Sequence, residues 1–239
     1  MGGVGPGWSS LEGLKWLGTV GPASLDAWGV AMGWRRAATY SHGLRLRRAG
    51  LVEWCPRTRG EGALVYASRS GVKACGVSAV VVARAPVMVS WRHCEASAWT
   101  AAWLTARGRG MVGPREMLLR REWRGDLHWH ERGESRRRGH RPDLAGQLPD
   151  GRLLPIEVEL TNKSPARLNA VLQLHAGWVA AGRSPAVMYV CANEQLAERV
   201  KTAGQAAGLS VEHGTFRVEL LPTIQQQAIE AGHDRGANR

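Results

Sequence analysis

The sequence predicts a mixed chain of helices and strands in two parts, α+β in its first part and α/β in its second. The first part is a helical unit closed by a β-hairpin, and the second is a core with a mixed sheet. Three observations lead there. Apolar residues recur at three- and four-residue steps through residues 9–49, the first two runs each preceded by a capping serine. Two short apolar segments, 51–54 and 63–67, flank a basic, glycine-containing tip. Beyond residue 108, alternating strand-like segments give way to helical runs that themselves alternate with strands.

Each element has a local reason. Ser9 or Ser10 caps a helix carrying Leu11, Leu14, Trp16 and Leu17, and Gly21-Pro22 ends it. Ser24 caps a second helix with Leu25, Trp28, Val30 and Ala31 at helical spacing, and Gly33 closes it. A third runs over 34–49 and stops at Gly50, with Trp34, Ala38, Leu44 and Leu46 inward. Ser70 caps a short helix through Cys75. Residues 85–107 read as a connector helix, whose Trp91 to Trp103 stretch is a plausible homodimer interface. In the second part, 114–121 is a helix or a turn, 126–131 a strand, and 133–139 a basic turn. Strands at 142–146 and 153–160 flank a hairpin-type turn at 148–151. A helix over 165–181, a strand over 186–190, a helix over 194–207 capped by Asn193 and a strand over 215–221 complete the core. The resulting division is a tail over 1–8, a first domain over 9–84, the connector, a second domain over 108–223 and a fraying polar tail over 224–239.

Net charge is +12 over 239 residues, most of the excess being arginine. Residues 1–84 hold eleven Lys/Arg against four Asp/Glu, a net of +7 in about a third of the chain. Such a field favours a polyanion. No run of about 18 apolar residues offers a membrane span, and the N-terminus lacks the regions of a signal peptide. Cys55, Cys75, Cys94 and Cys191 show no paired metal spacing and read as thiols of a reducing cytoplasm.

Helix–helix–helix–hairpin is the winged helix-turn-helix order. The string Leu44-Arg-Leu-Arg-Arg-Ala-Gly50-Leu-Val52 resembles the end of a recognition helix in MarR- or ArsR-like winged helices. Arg35, Arg36, Arg45, Arg47 and Arg48 on the third helix then face double-stranded DNA, and Arg57 and Arg59 sit at the wing tip.

The chemistry concentrates later. Asp143 follows Pro142, while Glu157 and Glu159 lie two apart and share one face of a strand. Ile156, Val158 and Leu160 alternate with them toward a core. Like charges that close repel, and a divalent cation is the usual remedy. Oxygen ligands from Asp143, Glu157 and Glu159 suit magnesium or manganese. Arg136, Arg137 and Arg138 on the basic turn offer a hold on a nucleic-acid strand. His140 is a metal or phosphate contact or plain surface, and His128 and His130 share a strand face without a third ligand. His93 and Cys94, adjacent on a helix, read as structural.

This order of elements resembles the PD-(D/E)xK restriction-endonuclease-like core. The resemblance implies that Asp143 and Glu157 bind magnesium. It also implies a lysine two residues after the second acid, where this chain carries Glu159. Lys163 has the same strand parity and either stands in for that lysine or anchors the next helix. Glu116, Glu122 and Gln173 fall where relatives of this kind often carry an acid or a glutamine. The longer string from His140 through Pro142-Asp143, Ile156-Glu157-Val-Glu-Leu-Thr and Lys163-Ser164 to Arg167-Leu resembles the replication-relaxation proteins of plasmids, integrative elements and phages. That resemblance implies a winged helix joined to a nuclease-like domain, with replication or relaxase proteins as partners. Two functions follow as expectations. One is metal-dependent phosphodiester hydrolysis, with Glu159 or Lys163 positioning the water. The other is a non-catalytic regulator built on a degenerate nuclease scaffold.

Overall fold

A computed structural model describes residues 8–56, 62–77 and 90–237. The first part runs α1 (Trp8–Val20), β1 (Ala23–Ser24), α2 (Leu25–Met32), α3 (Arg36–Arg48), β2 (Val52–Pro56), β3 (Ala63–Ala67) and α4 (Arg69–Ala74). β3 lies between β1 and β2 and is antiparallel to both. Capping sets the helix limits. Ser24 Oγ accepts from Ala27 N–H, and Gly33, at φ 65°, closes α2 in the left-handed conformation. α4 is capped by Ser68 rather than Ser70. The reason is the strand before it: Ser68 N–H donates to Leu51 O and its hydroxyl to Gly50 O, so the chain leaves the sheet there. Of α3, Leu46 is fully buried, while Trp34, Ala38 and Leu44 are half-buried.

The second part runs α5 (Trp91–Ala106), β4 (Met111–Val112), α6 (Pro114–Met117), a 3-10 turn (Arg121–Trp123), β5 (Gly125–Glu131), β6 (Glu134–His140), β7 (Leu144–Gln147), β8 (Leu153–Glu159), α7 (Pro165–Ala180), β9 (Val187–Cys191), α8 (Glu194–Ala206), β10 (Phe216–Leu220) and α9 (Leu221–Ala237). Five strands form a mixed sheet in the order β10-β9-β8-β7-β4. β8, β9 and β10 are parallel, whereas β7 pairs antiparallel with both β8 and β4. The chain is thus mixed α+β with a mixed sheet at its centre. Ile156, Val158, Met188 and Val190 face one apolar cluster, shared with α1, α2, α5 and α9. Tyr189 and Cys191 face the opposite one, shared with α7 and α8. Among the described residues, no helix is long and apolar enough to cross a membrane.

Three readings of the sequence are corrected here. Residues 133–139 are not a turn. The turn is Arg132-Gly133, both at positive φ, and Arg136, Arg137 and Arg138 lie on β6, paired with β5 as a separate two-stranded ribbon. α5 is a core helix rather than a connector. Its Trp99 and Trp103 are buried against α2 and α9, so these rings are not on offer to a second copy. Residues 224–236 do not fray. They belong to α9, whose Ile224 and Ala228 are fully buried, and Arg235 donates to Ala31 O and Thr105 O. Arg57, Arg59 and residues 85–89 lie outside the described residues.

His42 joins α3 to α1. Its ring stacks on Trp34 at 4.0 Å, and its Nδ1 lies 2.7 Å from Ser10 Oγ and 2.9 Å from Arg45 Nη2. A guanidinium only donates, so Nδ1 accepts and the ring is neutral. Burial, then the Arg45 charge, lowers its pKa. The unfolded chain therefore binds the extra proton first as pH falls through about 6.5, and stability drops below that point. A His42→Gln variant should lose less thermal stability than the native chain between pH 7 and pH 5. Equal losses in paired melting curves would show that this histidine is not responsible.

Candidate functional site

β8 and its neighbours determine where the acids go. β7 and β8 pair from Leu144 with Ile156, and the ladder extends one step further through Asp143 N–H to Ile156 O. Beyond that step a side chain replaces the strand. Asp143 Oδ2 accepts from Val158 N–H at 2.7 Å, while Oδ1 lies 2.9 Å from His93 Nε2 on α5. Pro142 and this double anchoring hold the carboxylate at the rim of the sheet.

Glu157 and Glu159 share the opposite face from Ile156 and Val158, and each is only 3 % exposed. Such carboxylates need partners. Glu157 Oε1 lies 2.8 Å from His140 Nε2, at the end of β6, and 3.4 Å from His175 Nε2 on α7. Glu159 is held by Lys163, from the bend between β8 and α7. His175 is fully buried, with Nδ1 3.1 Å from the Tyr189 hydroxyl, and Tyr189 is the direct β9 partner of Glu157. The Nε2 of His175 has no hydrogen-bond partner: the Glu157 oxygen is near but not aligned.

The electrostatics follow from burial. Desolvation raises the Glu157 carboxyl pKa, only partly offset by the His140 charge. Burial opposes a charge on His140, yet the charge and hydrogen bond of Glu157 carry it upward overall. The hydrogen bond to Asp143 raises His93, while burial, then the charges of His140 and Lys163, push His175 well below its usual value.

The structure places Asp143, Glu157, Glu159 and Lys163 around a single cleft. All four line one cleft of about 970 Å³, rimmed by Arg92, Arg124, Arg138, Arg141 and Arg167. Of the three arginines on β6, only Arg138 reaches the cleft. Arg136 pairs with Glu134 and Arg137 with Asp126 on the ribbon. Glu116 caps α6 through Gly113 N–H, and Glu122 pairs with Arg120 outside the cleft. Gln173 lines a separate hollow between β5 and α7, together with His128 and His130. Arg35, Arg36, Arg45, Arg47 and Arg48 are all exposed, with Arg36 near Asp26 and Arg47 over the Trp54 ring.

Two residues were missed. His93 was read as structural because its neighbour Cys94 cannot share its helix face, yet it is bound to Asp143. His175 drew no notice inside an amphipathic helix, where a lone histidine is an ordinary core residue. The like-charge problem also has an answer the sequence hid. Asp143, Glu157 and Glu159 each face a basic side chain, namely His93, His140 and Lys163. Among the described residues, the group of three whose ligand atoms lie within 4.8 Å of one another is His140, Glu157 and His175, and neither Asp143 nor Glu159 belongs to it. Comparison with protein-family models, curated proteins and solved structures returned no match.

Removing one partner of a buried ion pair strands the other. Lys163→Met should destabilise the fold by about 3 kcal/mol in denaturant titration. Adding Glu159→Leu to that variant should restore most of the loss. A double variant no more stable than Lys163→Met would show that Glu159 has a role beyond this pair.

Proposed function

We propose that the chain binds double-stranded DNA and hydrolyses a phosphodiester in the acidic cleft, acting in replication, relaxation or transfer of a mobile element. The observation that carries this reading is the convergence of Asp143, Glu157, Glu159 and Lys163 in one cleft rimmed by arginines. Element order adds support. α1, β1, α2, α3, β2 and β3 with a β1-β3-β2 sheet is the order of a winged helix, and the exposed arginines of α3 suit the phosphate backbone. A mixed sheet with Asp143 at a strand start and Glu157 on the next strand is what a PD-(D/E)xK core requires.

In this reading Asp143 and Glu157 would hold magnesium or manganese. Such an ion polarises a phosphate and lowers the pKa of bound water. Arg124, Arg138, Arg141 and Arg167 would hold the phosphate backbone, and Lys163 would present its ammonium at the cleft while Glu159 orients it. Replication or relaxase proteins are the partners that a mobile-element role implies, and a homodimer would not use the Trp99 and Trp103 rings, which are buried.

A second reading is a non-catalytic regulator of transcription or replication. The specific observation favouring it is that each of the three acids already has a basic partner, so the fold stands without an ion.

Two measurements test the proposal. Supercoiled plasmid incubated with magnesium or manganese should be nicked, and Asp143→Asn or Glu157→Gln should reduce the rate at least about a thousandfold if either removes a metal ligand on which ΔΔG‡ of roughly 4 kcal/mol depends. Nicking that survives both substitutions would refute the site, and no nicking with intact DNA binding would favour the regulator. DNA affinity should fall linearly with salt on logarithmic axes, and Arg45→Ala with Arg48→Ala should flatten the slope by roughly 2 if both neutralise phosphates. An unchanged slope would remove α3 from the interface.

A further inference from the structure

We infer that His140, Glu157 and His175 form a binding site for a first-row transition dication of the zinc class, which would share Glu157 with the carboxylate pair of the proposed function. The inference goes beyond the proposed function, since it requires neither DNA nor hydrolysis.

The geometry is the first ground. His140, Glu157 and His175 come from β6, β8 and α7, and one ligand atom of each lies within 4.8 Å of the other two. Two of those separations are 2.8 Å and 3.4 Å. Tetrahedral zinc with bonds of about 2.0–2.1 Å sets its ligand atoms roughly 3.4 Å apart. Small shifts would seat an ion among the three.

The second ground is independent of the first. His175 is fully buried, and its Nε2 points at this cluster without a hydrogen-bond partner. A polar atom so placed is costly when nothing satisfies it. A packed hydrogen-bond network would have satisfied it through Glu157, 3.4 Å away, but the alignment fails. The other ring nitrogen is held by Tyr189 at 3.1 Å. With Nδ1–H donated to the Tyr189 oxygen, Nε2 carries the lone pair. This is the outer arrangement that orients a metal-binding histidine.

Ligand type selects the ion. Two imidazoles and one carboxylate suit zinc, cobalt, nickel or iron, whereas magnesium prefers oxygen donors and keeps its waters. Glu157 and His140 line the cleft and His175 does not, so the remaining coordination positions would open toward the cleft.

The test uses the untagged full chain after chelator treatment. Cobalt(II) should give the visible ligand-field absorption of a low-symmetry site, saturate stoichiometrically, raise the melting temperature and be displaced by zinc. His140→Ala should weaken the affinity at least about tenfold, in line with loss of a ligand. Glu122→Gln and His128→Ala, both outside the cleft, should leave the spectrum unchanged. Because His140→Ala bears on packing, a zinc-soaked crystal of the native chain supplies a second measurement, with anomalous density expected among the three side chains. Absence of cobalt absorption and of zinc density in the native chain overturns the inference. So does a spectrum abolished by Asp143→Asn but not by His140→Ala, which assigns the ion to the carboxylates. A spectrum lost with His128→Ala assigns it to the ribbon and overturns it as well. Plasmid nicking with magnesium is read separately, so failure of one reading does not disguise failure of the other.

Discussion

Burying two glutamates on one face of a central strand is the constraint to which the second half of the chain answers. A carboxylate out of water without a partner is costly enough to protonate or to disrupt the fold. Glu157 and Glu159 are almost fully buried, and the chain brings a base to each from a different element. The β5–β6 ribbon ends at His140 beside Glu157. The bend after β8 carries Lys163 back onto Glu159 before Ser164 caps α7. α7 then supplies His175 from above. Ribbon, bend and helix are placed by the same requirement.

The opposite face of β8 makes the converse demand. Ile156 and Val158 alternate with the acids and belong to an apolar cluster that reaches into α1, α2, α5 and α9. Alternation on one strand therefore couples the arginine-bearing first part to the acidic cleft through a continuous core. His93 shows the coupling at one residue. It stands on α5, whose buried tryptophans pack in that core, and its imidazole meets Asp143 on the cleft side.

Much of this was legible in the sequence. Caps at Ser24 and Asn193, the stop at Gly33 and the turn at 148–151 follow from local chemistry and stand as read. The acids were legible because period-2 alternation fixes their face. The failures share a physical cause, which is that tertiary partners override local character. Gln225, Gln226 and Gln227 make α9 look polar, although Leu221, Ile224, Ala228 and Ile229 keep helical spacing and pack inward. Arginines at 136–138 look like a loop, but pairing with β5 needs only backbone groups and leaves the side chains exposed. His175 was illegible because a ligand or base on a helix is identified by what faces it, and Glu157 and Tyr189 are 18 and 14 residues away in sequence.

The pairing of Glu159 with Lys163 acquires a physical meaning in this setting. The cation is not missing from the cleft, since Lys163 reaches the same face from four residues further along. It arrives bound to a carboxylate, however, and a paired ammonium projects a weaker field than a lone one because the two charges oppose each other at any distance beyond their own separation. The Glu159–Lys163 pair is thus close to neutral toward an incoming anion. Arg124, Arg138, Arg141 and Arg167 line the same cleft, so its lining carries further cations beyond that pair. The cleft thus sets guanidiniums around three acids that each already have a basic partner.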